Sequence, residues 1–193
     1  IRAAKADDRI EITDIEALKA TLKPRVAITR ADIPAIRQSL LKDFGCLHEP
    51  ASWCVADVFQ AAVRFLRGEG EAAPAKAYGF LSRPTGVKEP TTVSAADLRA
   101  AAAKLDLGTF IPTEIAVGKA TLGPADFLFA ALEVLETGAA TATVVPREQL
   151  GSFKLVPGLE NMKISGKWIH PDSFKDEYLS ERMRLQLWTL RIE

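Results

Sequence analysis

Two cysteines, a histidine and a glutamate lie close together in the segment F-G-C-L-H-E-P-A-S-W-C, residues 44 to 54. Cys46, His48, Glu49 and Cys54 belong to the residue types that bind zinc or perform nucleophilic catalysis. A zinc site usually takes four ligands in two short pairs, and the second pair is missing, because His170 is the only other histidine. A catalytic thiol needs a base and an orienting group from separate elements. The sequence therefore predicts neither a metal nor another cofactor.

The same cysteines leave two structural interpretations open. In an exported protein, Cys46 and Cys54 would form a disulfide that closes a short loop and adds about 2 to 3 kcal/mol of stability. Alternatively, they are two thiols that pack as small hydrophobic side chains. The choice depends on geometry and compartment, which the sequence does not report.

Tryptophan side chains are the other candidates for ligand contact. A flat ring with one polar atom stacks well on a sugar ring or a peptide side chain. Trp53 lies in a segment with proline and serine, and both a stacking role and a core role are open for it. Trp188 lies in the apolar run L-Q-L-W-T-L, which favours core packing.

Four aspartates occupy equivalent places near predicted helix starts, where the helix dipole favours negative charge. They are Asp32, Asp57, Asp97 and Asp126. We interpret them as structural. The chain also lacks a phosphate-binding loop, a G-x-S-x-G elbow and an H-E-x-x-H motif. An enzyme is therefore not expected.

The elements that position these residues are clearest between Val93 and Gly138. Ser94 is a good helix cap before an Ala/Leu-rich run, and Gly108 suits its end. An elbow follows, by which we mean the segment between two helices, with a short extended piece and a turn at Gly118. A second helix then starts between Thr121 and Pro124, with apolar residues at helical spacing.

The pattern occurs a second time, earlier in the chain. Residues 28–33 align with 93–98, and 56–66 align with 125–135. We predict a mainly α fold with two tandem helix-elbow-helix repeats, short extended segments and a docked C-terminal helix that starts near Pro171. The predicted divisions are a lead-in arm or helix (1–27), repeat 1 with its connector (28–90), repeat 2 (91–150) and a C-terminal extended segment with the helix (151–193).

Charge balance and the length of the apolar runs argue against nucleic-acid binding and against a membrane-spanning helix. Lys+Arg and Asp+Glu are equal at 25 each, so no net charge attracts nucleic acid. No apolar run reaches the roughly 20 residues of a membrane-spanning helix, and no signal peptide is visible. Because the chain begins at Ile1, we expect a processed protein or a fragment.

Three stretches of the second repeat carry a resemblance: S-A-A-D-L-R-A-A-A-A-K-L, F-I-P-T-E-I-A-V-G and A-D-F-L-F-A-A-L-E-V-L. Together they resemble the pseudomurein-binding repeat, well over residues 93–138 and more weakly over 28–68. The resemblance implies tandem repeats that anchor exported proteins to cell-wall polymers without chemistry of their own. The first copy departs from the pattern, because it lacks the V-x-G turn and carries two cysteines instead.

The sequence thus favours a non-catalytic module that binds a cell-wall or surface polymer and acts outside the cell or at its surface. The alternative is a structural subunit of a surface layer, filament or larger complex, assembled through protein-protein contacts. Self-association into a homo-oligomer is left open. Loops present binding residues more often than helices do, so the predicted contacts lie in the elbows. They are His48, Glu49, Ser52 and Trp53 in repeat 1 and Pro112, Thr113 and Glu114 in repeat 2.

Overall fold

The computed structural model describes residues 26–42, 44, 53–72, 79–108, 110–150, 185, 186, 188 and 189. The elements in chain order are α1 (Ile33–Lys42), α2 (Val55–Leu66), β1 (Thr91–Ser94), α3 (Ala95–Lys104), β2 (Ile115–Val117), β3 (Ala120–Leu122), α4 (Pro124–Thr137) and β4 (Thr141–Val144). A short 3-10 turn, Arg30–Asp32, precedes α1.

Two small antiparallel sheets make the fold mixed α/β, so the prediction of a mainly α fold is wrong. β1 pairs with β4, with Val93 opposite Ala142, and β2 pairs with β3 in a hairpin. The physical reason is the threonine- and valine-rich composition of β1 and β4, T-T-V-S and T-A-T-V, which favours extended backbone. Strand β1 enters α3 directly, and β4 follows α4 after a short turn.

All four aspartates lie at helix starts, as predicted, and three of them accept hydrogen bonds from backbone N–H groups. Asp32 accepts hydrogen bonds from the Thr29 backbone N–H (2.8 Å) and from its hydroxyl (2.7 Å). Asp57 and Asp126 each accept from the backbone N–H three residues earlier, and Asp97 accepts from the hydroxyl of the cap Ser94. Each bond holds the entry of the chain into its helix, so these carboxylates are structural.

Apolar side chains from all four helices form one core. Helix α4 is buried along most of its length, and its Phe127 ring lies 5.8 Å from the Phe59 ring of α2. Trp188 is fully buried, which confirms the prediction that it is a core residue. Among the described residues, no helix has the length and apolar character needed to cross a membrane.

The chain near Trp188 docks against both α2 and the segment after β4. The Ala56 N–H donates to the Trp188 carbonyl at 2.8 Å, and the Trp188 indole N–H donates to the Gln149 carbonyl at 3.1 Å. Residues Leu185 and Gln186 are helical, whereas the predicted helix start near Pro171 lies outside the described residues. The predicted domain boundaries remain predictions.

Candidate binding groove

Most of the predicted elbow residues of the first repeat lie outside the described part of the chain. They are Cys46, His48, Glu49 and Ser52. The disulfide between Cys46 and Cys54 therefore remains a prediction. Cys54 is fully buried and caps the start of α2.

Trp53 is a core residue, which decides between the two roles left open for it. Its side chain is only 3 % exposed, and its indole N–H donates to the Val26 carbonyl at 2.9 Å. The ring therefore has no free face on which a ligand can stack, and the prediction of Trp53 as a binding residue is corrected. Burying so large an apolar ring stabilises the folded chain more than leaving it exposed in a loop would.

Pro112, Thr113 and Glu114 lie at the surface, but Thr113 also makes hydrogen bonds within the fold. Its carbonyl accepts hydrogen bonds from the backbone N–H of Thr85 (3.1 Å) and from the Thr85 hydroxyl (3.3 Å). These bonds tie the elbow to the connector between the predicted repeats. None of the three residues lines a described groove.

A groove of about 720 Å³ lies beside the hairpin that follows this elbow. We call it the hairpin groove. One wall is the chain that leads into and forms β1, and the other is the turn of the hairpin with β3. Its described lining residues are Gly86, Val87, Lys88, Glu89, Thr91, Thr92, Val93, Asp97, Val117, Gly118, Lys119, Ala120 and Thr121.

The hairpin wall depends on Gly118. Its φ is +58°, and no non-glycine residue in the described part of the chain has a positive φ, so the two-residue turn Gly118–Lys119 has a positive φ at its first position only, as type II′ turns do. A Cβ at Gly118 would lie 2.8 Å from Oδ2 of Asp97, so only glycine fits this close approach. Asp97 in turn is held by the Ser94 hydroxyl, which donates to the same Oδ2 at 2.7 Å.

The opposite wall is fixed by a buried carboxylate. The backbone N–H of Val87 donates to Oδ2 of Asp126 at 2.9 Å, and Asp126 is fully buried at the start of α4. A hydrogen bond from backbone to a charged group inside a protein is among the stronger ones. The chain that enters β1 is therefore anchored immediately before the exposed Lys88 and Glu89.

An arginine lies beside the buried Asp126. The Arg147 guanidinium lies 3.9 Å from the centre of the Phe129 ring, and its Nε is 3.8 Å from Oδ1 of Asp126. Burial lowers the pKa of Arg147, and the Asp126 carboxylate opposes that shift. This pair supports the start of α4 and does not line the hairpin groove.

The groove is lined by charged side chains of both signs and by hydroxyl groups. Lys88 and Lys119 supply positive charge, and Glu89 and Asp97 supply negative charge. Thr91, Thr92 and Thr121 add hydroxyl groups. Such a mixture donates and accepts hydrogen bonds with a polar, uncharged or zwitterionic ligand. No group of three or more His, Cys, Asp or Glu side chains that could hold a metal ion occurs in the described part of the chain.

Sequence reasoning missed this groove because it depends on two segments about thirty residues apart. The run K-E-P-T-T-V-S, residues 88 to 94, carries a visible signal: a proline followed by β-branched residues that favour a strand. No local sequence pattern indicates that this run lies beside the hairpin turn.

Comparison with protein-family models, with curated proteins and with solved structures finds no match.

Proposed function

We propose that the chain is a non-catalytic module that binds a cell-wall or surface polymer at the hairpin groove. The observation that carries the proposal is the lining of this groove, which combines hydroxyl groups with charges of both signs on a rigid frame. Polymers rich in hydroxyl and amide groups are recognised by hydrogen-bonding side chains of this kind. The resemblance of residues 93–138 to the pseudomurein-binding repeat points to the same class of ligand.

We also propose that the module consists of two tandem repeats. The support is a correspondence between the two halves. Ile28 and Ala72 exchange two backbone hydrogen bonds of 3.0 Å, and they flank α1 and α2. Val93 and Ala142 pair in the same antiparallel sense and flank α3 and α4. Since Ile28 aligns with Val93 in the sequence, a duplication accounts for both pairings.

The experiment is retention of the chain on purified, insoluble cell-wall polymer. Lys119 is exposed at the hairpin turn, so Lys119→Ala removes a charged donor without disturbing the core. A hydrogen bond to a charged group contributes about 1.5 to 3 kcal/mol, so we expect retention to weaken roughly tenfold or more.

Lys104→Ala is the matched control, because Lys104 is also exposed but ends α3 away from the groove. Equal retention of both variants, or no retention of the unaltered chain, would reject the proposal.

Assembly through protein-protein contacts is the second candidate. It is favoured by large apolar side chains at the surface, among them Leu81 (78 % exposed) and Leu41 (56 % exposed). Light scattering at increasing concentration distinguishes it, since an assembly subunit forms oligomers and a polymer-binding module does not require them.

A further inference from the structure

The side chain of Gln149 is packed between two segments that lack room for any larger residue. It is buried, with 5 % of the residue exposed. A Cβ added at Gly86 would lie 2.6 Å from Nε2 of Gln149, and one added at Gly123 would lie 2.2 Å from its Oε1. Gly86 belongs to the chain that leads into β1, and Gly123 caps the start of α4. The Gln149 amide therefore lies in direct contact with both.

Two hydrogen bonds hold the Gln149 amide in this place. Its Oε1 accepts from the backbone N–H of Ala125 at 3.1 Å, and its Nε2 donates to the Arg147 carbonyl at 3.2 Å. The Ala125 N–H belongs to the first turn of α4, where a helix leaves its donors without internal partners. Because a buried amide that loses its partners costs free energy, the side chain cannot move aside without a penalty.

The backbone of Gln149 is anchored to the core through Trp188. The carbonyl of Gln149 accepts the hydrogen bond from the Trp188 indole N–H at 3.1 Å. That indole is fully buried, and its ring lies 5.0 Å from the Phe80 ring and 5.4 Å from the Phe44 ring, centre to centre. Gln149 is therefore held at its main chain and at its side chain.

The segment that packs against Gln149 is part of one wall of the hairpin groove. Gly86 and Val87 line this groove, and together with Gln149 they also line a second cavity of about 490 Å³. Gln149 itself is absent from the described lining of the hairpin groove. Lys88 and Glu89, which bring charge to the groove, follow directly in the chain. A shift of Gly86 and Val87 would therefore move these charges.

We propose that Gln149 is a positioning residue of the hairpin groove, which holds Gly86 and Val87 where a ligand meets them. It acts through the wall and does not touch the ligand. The inference deepens the proposed function and rests on it, because the hairpin groove is the proposed binding site. Asp126 holds the same segment by the hydrogen bond from Val87, and Gln149 adds the packing contact at Gly86.

Gln149→Met tests this role in the full chain, because methionine keeps the length of the side chain and removes both of its hydrogen bonds. The Val87 amide, which is bonded to Asp126, reports whether the wall opens. We expect it to exchange with solvent about tenfold faster, since the wall loses a fixed support. We expect retention on insoluble cell-wall polymer to weaken about fivefold or more. Unchanged exchange at Val87 would overturn the proposal.

Gln60→Met is the matched control. Gln60 is also buried, with 6 % exposed, but it lies on α2 and belongs to the described lining of neither cavity. Both variants are compared at a temperature where thermal unfolding shows them to be folded. We expect Gln60→Met to keep the Val87 exchange rate and the retention of the unaltered chain. The same loss in both variants would identify reduced stability as the cause and would reject a positioning role.

Gly86→Ala approaches the contact from the wall and keeps the test decisive if Gln149→Met fails to fold. Its new Cβ would collide with Nε2 of Gln149, so we expect weaker retention. Gln149→Ala removes that amide and makes room for the new methyl group. Together, the two substitutions are expected to weaken retention less than the product of their separate effects. Effects that simply multiply would show that the two residues do not act through this contact and would contradict the proposal.

Retention of the unaltered chain separates this inference from the proposed function. If the unaltered chain is retained and Gln149→Met is retained equally, the positioning role alone is rejected. If the unaltered chain is not retained, the polymer ligand is rejected, and the Val87 exchange rate still decides whether Gln149 holds the wall.

Discussion

Individual residues hold the two walls of the groove in place. Gly118 provides the backbone conformation of the hairpin turn and leaves room for the Asp97 carboxylate beneath it. Asp126 anchors Val87 from inside the protein. Neither residue needs to touch a ligand, so their effect on binding is expected to act through the position of the walls.

We expect Gly118→Ala to lower the free energy of unfolding by about 1 to 2 kcal/mol. The reasons are the positive φ and the clash of the new Cβ with Oδ2 of Asp97. Urea unfolding measures the change. Gly70→Ala is the control, because a Cβ there meets nothing within 4 Å and Gly70 has no positive φ. Equal stability of the two variants would contradict this view of the hairpin turn.

Connections between elements join the two predicted repeats. Arg67, immediately after α2, donates from Nε to the Ala102 carbonyl at 2.9 Å and from its terminal nitrogen to the Leu105 carbonyl. These carbonyls belong to the end of α3, where the helix leaves acceptors without internal partners and where positive charge is favourable. Arg67 therefore couples the end of one helix pair to the start of the next.

Replacement of Arg67 by alanine is expected to destabilise the chain by about 1 kcal/mol, a modest value because the guanidinium is partly in solvent. Thermal unfolding measures it. Arg99→Ala removes an exposed arginine from α3, the helix that Arg67 contacts, and is expected to change stability by less than about 0.5 kcal/mol. A larger loss for Arg99→Ala than for Arg67→Ala would contradict the proposed coupling.

Local signals predicted helices well and strands poorly. The Ser94 cap and Pro124 at a helix start are both observed, whereas α3 ends at Lys104, earlier than the predicted stop at Gly108. Thr121, interpreted as part of a helix start, belongs to β3. Residues 115–117 form the short extended piece that the sequence predicted. The pairing of β1 with β4 had no local signal, because it joins segments about fifty residues apart.

The binding groove was equally hard to predict, because it too joins segments that are far apart in the sequence. The predicted elbow residues Pro112, Thr113 and Glu114 precede the hairpin in the chain and do not line the hairpin groove. The sequence left both roles open for Trp53, because no local pattern indicates that its ring is buried and that its indole N–H donates to the Val26 carbonyl. Lys119 and Thr92 are candidate ligand contacts only because the folded chain brings the hairpin and β1 to the same groove.

At the scale of the whole molecule, the described helices share one core, and the hairpin groove lies beside it. The buried cluster includes residues from Ile28 to Trp188 and so includes both predicted repeats. The described strands, in contrast, form two separate sheets of two strands each. The proposal that the chain is a binding module rests on the hairpin groove, since binding sites in proteins are usually concave.

The most direct test of this account maps the amides that respond to ligand. Solubilised cell-wall polymer is titrated into the isotopically labelled chain, and amide chemical shifts are followed by NMR. We expect the largest changes at Thr92, Gly118 and Thr121 around the hairpin groove, with none at Gly70. Changes centred elsewhere in the chain, with the groove amides unaffected, would contradict the central claim that the hairpin groove is the binding site.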